Sequence, residues 1–123
     1  MKISEAIAEV DALQYSEFGD EQKIAWLDQL DRKVKLLVID TCEGAENVVF
    51  NGYSADTPTD TVLLIPDDFR EIYRYWLCSQ IDLHNREHDN YNRMIEMFNA
   101  SWDQFCAWYN RTHRPIAKHR IRL

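Results

Sequence analysis

FREIYRYWLCSQIDLHNREHDNYNRMIEMFNASWDQFCAWYNRTHRP, residues 69–115, decides the fold. In its first part Phe69, Ile72, Tyr73, Trp76, Leu77 and Ile81 recur at three- and four-residue steps, the spacing of one face of an α-helix. The polar run 84–90 interrupts that pattern and predicts a tight break near 85–87 rather than one continuous helix. Tyr91, Met94, Ile95, Phe98, Trp102, Phe105 and Tyr109 then resume helical spacing, and Pro115 stops it, because the residue before a proline is driven out of the helical region. The spacing therefore predicts helices near 67–84 and 88–110, packed antiparallel. Pro66 suits the start of the first of them, where a missing N–H costs nothing, and Asp68 with Glu71 offers an alternative capping pair.

Upstream, Ile24, Leu27, Leu30, Val34, Leu37 and Val38 predict an amphipathic helix over about 21–41. Gly19 precedes it, Asp20 is a candidate N-cap, and Gly44 lies beyond its end. A short N-terminal helix over about 2–13 carries Ile3, Ile7, Val10 and, at its end, Leu13. Region 43–65 reads differently. It holds Gly44, Gly52, Pro58 and two short apolar runs, VVF at 48–50 and VLLI at 62–65, around the polar stretch SADTPTD. Asn51-Gly52 is a favoured hairpin dipeptide. The expected fold is thus mainly α: a small bundle of one short N-terminal helix and three longer ones. A long loop or small β-hairpin is expected between the second and third helices. Residues 1–113 form one domain with a mobile 43–65 connection, and 114–123 form a basic tail.

The chain has 123 residues, 46% of them apolar and 12% aromatic, which supplies a core for one domain and argues against global disorder. Cys42, Cys78 and Cys106 are odd in number and form no CxxC pair, a pattern of free thiols in a reducing compartment. With no signal-like apolar run at the N-terminus and no membrane-length apolar stretch, the cytosol is the expected location and no membrane partner is expected. The formal charge of −7 is unevenly spread. All 21 acidic residues precede position 110, whereas Arg111, Arg114, Lys118, Arg120 and Arg122 follow it with no acid among them. An acidic body argues against a broad nucleic-acid face. For the basic tail, contact with an acidic protein surface is the expectation, with weak contact to DNA second.

Residues 84–88 read His-Asn-Arg-Glu-His, the H-x-x-E-H arrangement of inverted zinc peptidases, in which two histidines one helical turn apart bind zinc and the glutamate activates water. Such a site needs a third, distant ligand. Only Glu96 and Asp103 remain downstream as candidates, so a solvated helix end is the expectation. The cysteines carry no local nucleophile signature, the carboxylates no paired arrangement, and three glycines form no phosphate loop. No catalytic, cofactor or metal residue is expected. Aromatic residues are more telling: Tyr75 and Trp108 lie off the apolar stripes of their helices, which a thick aromatic core explains first and rings at a subunit interface second. The expected interface residues are Phe50, Tyr53, Tyr75, Trp108, Arg111, Arg114, Lys118, Arg120 and Arg122.

Four segments carry a resemblance: DEQKIAWLDQLDRKV at 20–34, FNGYSADTPTDTVLLIP at 50–66, FREIYRYWLCSQIDLHN at 69–85 and YNRMIEMFNASWDQFCAWYNRTHRP at 91–115. In their order and wording the chain resembles the small helical head–tail connector, or head-completion, proteins of tailed phages and prophages of Gram-positive bacteria. The resemblance implies a non-enzymatic adaptor whose copies form a ring between the portal protein and tail-side neck proteins. Its location would be the host cytoplasm during assembly and the virion neck afterwards. It implies no catalytic residue. Many relatives carry a glycine where this chain has Arg86, which bears on where the third helix ends. An unrelated cytosolic helical interaction module is the alternative reading, and a zinc-dependent hydrolase a distant one.

Overall fold

The computed structural model describes residues 1–14 and 16–116. Four α-helices make up the body: α1 (Ile3–Leu13), α2 (Asp20–Val34), α3 (Glu71–His84) and α4 (His88–Thr112). Helix α2 starts one residue earlier than its capping pattern suggests, with Gly19 as N-cap and Asp20 and Glu21 in the first turn, where negative charge meets the positive end of the helix dipole. It runs on into a π-helical turn, Lys35–Ile39, in which the Asp40 amide reaches back five residues to the Lys35 carbonyl at 2.8 Å. This turn buries Val38 and Ile39 and leaves Leu36 and Leu37 64% and 57% exposed, so Leu37 does not join the core as its spacing predicts.

The break between α3 and α4 falls at 85–87, as the polar run predicts. Helix α3 closes with paired reversed bonds: the Glu87 amide donates to the Asp82 carbonyl at 2.9 Å and the Arg86 amide to the Leu83 carbonyl at 3.2 Å. This is a Schellman closure, which needs a left-handed residue between helix and exit, and Arg86 supplies it with φ 59°. The antiparallel α3–α4 hairpin is the most extensive packing in the molecule, and α2 and α1 lie against α3.

The core contains Ile3, Val10, Leu27, Leu30, Val34, Ile72, Leu77, Ile81 and Phe105, all buried. Trp76 and Phe98 pack against it half-buried, and Leu13, expected on the α1 stripe, is exposed. Polar links lock α1 in place: Lys23 to Asp11 at 2.5 Å, Arg74 to Glu9 at 3.1 Å, and the Gln14 amide to Asp82 at 2.7 Å.

The connection between α2 and α3 departs from expectation. The structure contains no strand among the described residues and no β-hairpin at Asn51-Gly52, and the connection is not one long loop. It is divided into short pieces, with 3-10 turns at Ala45–Asn47 and Asp67–Phe69 and tight turns at Ser54–Thr57 and Pro58–Thr61. A hairpin requires its two apolar runs to pair with each other. Here both find other partners. Val62 bridges Lys2, with the Ile3 amide donating to Thr61 at 3.0 Å and the Leu63 amide to Met1 at 2.8 Å, while Val48 packs on the core. Gly52 does take up a positive φ of 87°, but in a close crossing over α2.

Candidate interaction surface

Helix α4 carries the aromatic residues that the sequence singles out, and a continuous run of ring contacts follows it. Trp76 on α3 lies 5.6 Å from Phe98, Phe98 stacks on Trp102 at 5.8 Å, Trp102 meets Phe105 at 6.0 Å, and Phe105 meets Trp108 and Tyr109. Phe69 closes the far end against Trp108 at 5.3 Å, and His113 stacks flat on Tyr109 at 3.9 Å. Of the rings contributed by α4 itself, only Phe105 and Tyr109 are buried. Tyr91, Phe98, Trp102 and Trp108 keep part of their faces in solvent, and Met97 beside them is exposed. The ridge is therefore half core and half surface.

The expected interface residues fall in separate places. Trp108 belongs to the α4 ridge, with Arg111 exposed one turn on and Arg114 exposed just beyond the helix. Tyr75 is half-buried on α3 under the Arg74 guanidinium, 4.9 Å from its ring centre. Phe50 and Tyr53 pack edge to face at 5.1 Å over α2, with the Arg32 guanidinium 5.7 Å from the Phe50 ring. Tyr53 faces inward: its amide donates to Asp28 at 2.8 Å and its hydroxyl to Asp31 at 2.5 Å. Lys118, Arg120 and Arg122 lie outside the described residues. The start of the basic tail pairs with the end of α2's extension, the Glu43 amide donating to Arg114 at 2.8 Å and the Ile116 amide to Thr41 at 2.9 Å.

His84 and His88 do not share a helix, because the Schellman closure falls between them. His84 ends α3 among the rings of Phe18 and Trp26 with Nδ1 2.9 Å from the Gln80 carbonyl oxygen, and Glu87 accepts from the Asn90 amide at 3.0 Å. Among the described residues no group of three or more His, Cys, Asp or Glu side chains is placed to hold a metal ion. Cys78 is a buried thiol whose pKa is pushed up to about 11 by burial and the neighbouring Asp82 charge, and burial raises Cys106 as well. Raised thiol pKa values leave little thiolate for nucleophilic chemistry.

The polar centre that sequence reading missed is Asp31. It is fully buried on α2, and no cationic side chain pairs with it among the described residues. Three donors converge on it: the Tyr73 hydroxyl at 2.7 Å, the Tyr53 hydroxyl at 2.5 Å and the Leu64 amide at 3.0 Å. The Tyr73 oxygen also accepts the Ile65 amide at 2.8 Å. Burial raises the Asp31 pKa above its ordinary value despite these bonds, and burial beside the Asp31 charge drives both tyrosines up too. A signal was present in the sequence: position 31 lies on the apolar stripe, four residues after Leu27 and three before Val34.

The chain matches no protein-family model, no curated protein and no solved structure.

Proposed function

We propose that this chain is a structural adaptor that works through protein contact, as a subunit of a phage head–tail connector. The observation that supports an adaptor best is the α4 ridge. Large rings held in a rigid stack with one face in solvent suit an interface, since Trp and Tyr bury much area there and lose little side-chain freedom. The assignment to a connector rests on the four segments that resemble connector proteins. The charge division agrees with both, because a basic tail beside an acidic body gives neighbouring copies, or a portal surface, complementary partners. On this reading the subunit has no catalytic role, forms a ring, and contacts the portal and tail-side neck proteins, with DNA a weaker partner of the tail.

The flanking genes provide the first test. Portal and capsid genes on one side and tail genes on the other are expected, and a setting of unrelated metabolic genes would overturn the connector assignment. Co-expression with the neighbouring portal protein, followed by native mass spectrometry, tests the contact itself. A multi-copy complex weakened by Trp102→Ala is expected, and a chain that stays monomeric beside its portal would remove the adaptor reading.

A further inference from the structure

From Glu43 to Val62 no side chain is buried, although the chain runs directly over α2 there. Residues 48–58 are the least anchored part. Ser54 and Thr57 bond to each other in a self-contained turn, the Ser54 amide donating to the Thr57 hydroxyl at 2.8 Å and the Thr57 amide to the Ser54 carbonyl at 3.0 Å. Both hydrogen bonds from 48–58 to the helices come from one residue, Tyr53, to Asp28 and to Asp31. Gly52 makes the crossing close enough for those bonds. A Cβ at that position would lie 2.6 Å from the Arg32 guanidinium and 3.1 Å from the Asp28 carboxylate, and its φ of 87° is one that side-chain-bearing residues rarely adopt.

We propose that residues 48–58 are a strap that opens as one unit while α1–α4 stay folded, and that the bonds from Tyr53 to Asp28 and Asp31 are its latch. Opening removes Tyr53 from Asp31 but leaves that carboxylate its Tyr73 and Leu64 donors, so the hub joining α2 to α3 survives. It also removes no fully buried side chain, only the half-buried Val48 and Tyr53 that pack against the edge of the core. Segments that combine little burial with few tertiary bonds are those that open below the global unfolding free energy. Residues 59–63 are excluded from the strap because they are paired with the N-terminal residues. The latch stands whether or not the chain belongs to a connector.

Amide hydrogen exchange on the intact chain tests it, with amides of 53–57 compared with those of α2 and α3. In the wild type the strap amides are expected to exchange faster than the helix amides, yet slower than an unstructured peptide. Tyr53→Phe should speed exchange of the strap amides about tenfold, the worth of one hydrogen bond to a carboxylate, and, because the native state alone loses that bond, helix amides should keep their margin of protection over the strap. Gly52→Ala should do the same through the strain of its φ of 87° and the crowding of the Asp28 carboxylate, since the Arg32 guanidinium can swing aside. Strap amides with the same protection and the same urea dependence as the helix amides would make the segment part of the global folding unit and overturn the proposal. So would a strap unprotected in the wild type, or one indifferent to both substitutions.

Discussion

Tyr73 on α3 donates its hydroxyl to Asp31 on α2 at 2.7 Å and, through the same oxygen, accepts the Ile65 amide at 2.8 Å. One phenol thus joins α2, α3 and the end of the connection between them inside the core. Tyr73→Phe keeps the ring and strands two buried partners. It should lower stability by about 1–3 kcal/mol, the cost of leaving buried polar groups unpaired. Urea unfolding checks this, and Tyr53→Phe, at a half-buried ring, should cost less.

Burial raises the pKa of Asp31, and also of Asp82, above the ordinary 3.8. The folded chain therefore holds these protons to higher pH than the unfolded one. Their contribution to stability is complete below 3.8 and is lost as pH rises through the folded values. Asp67 is shifted the other way, chiefly by its hydrogen bond to the N-terminal ammonium, so its contribution is lost only as pH falls below the ordinary range. Urea midpoints should decline as pH rises above about 4, opposite to ordinary acid denaturation. Self-repulsion of the acidic body adds to the same trend. The comparison with Asp31→Asn isolates the buried carboxylate, because that variant should show a shallower decline.

Arg86 occupies the left-handed position of the α3 closure at φ 59°. Glycine relieves the Cβ clash that this conformation imposes, so Arg86→Gly should stabilise by about 0.5–1 kcal/mol even after its greater unfolded-state freedom is counted. Thermal melts of the pair decide it.

Phe105 and Trp102 are neighbours in the ring stack with different exposure. Phe105→Ala should cost about 3–5 kcal/mol of stability through the cavity it leaves. Trp102→Ala should cost less in the isolated chain and show its main effect in assembly. Denaturation and complex formation, measured side by side, separate the two.

Truncation after Ile116 spares the pairing of 114–116 with 41–43 and should leave the helical circular-dichroism signal intact. It removes three of the four tail cations, and assembly should weaken. In the intact chain the same weakening is expected on raising salt, which screens exposed charges. Undiminished assembly by the truncated chain at every salt concentration would refute the tail's role.

The helices were legible because their apolar residues follow helical spacing over many turns, and the break at 85–87 because seven polar residues interrupt it. The connection between α2 and α3 was not. Asn51-Gly52 signals a turn, but the partners that win over a hairpin, Lys2 for Val62 and Asp28 for the Tyr53 amide, lie far away in sequence. Asp31 was hidden for a related reason. Its place on the apolar stripe marks it as buried, but nothing local identifies Tyr53 and Tyr73 as its donors. Among the expected interface residues, Trp108 and Tyr53 both lie half in solvent, and Tyr53 also bonds through its hydroxyl to Asp31.

The π-helical turn at Lys35–Ile39 can be viewed as an insertion. Beyond Val34 the buried positions are Val38, Ile39 and Cys42, at steps of four, five and eight. Subtract one residue and the steps become three, four and seven, the ordinary stripe of an α-helix. The core thus keeps an α-helical register in space, while the chain carries one residue more than that register needs and loops it outward through Leu36 and Leu37. Deleting Leu36 should leave Val38 and Ile39 facing inward from an uninterrupted helix, with Cys42 just beyond its end. Length variation among related chains should be tolerated at this turn more readily than anywhere else along α2.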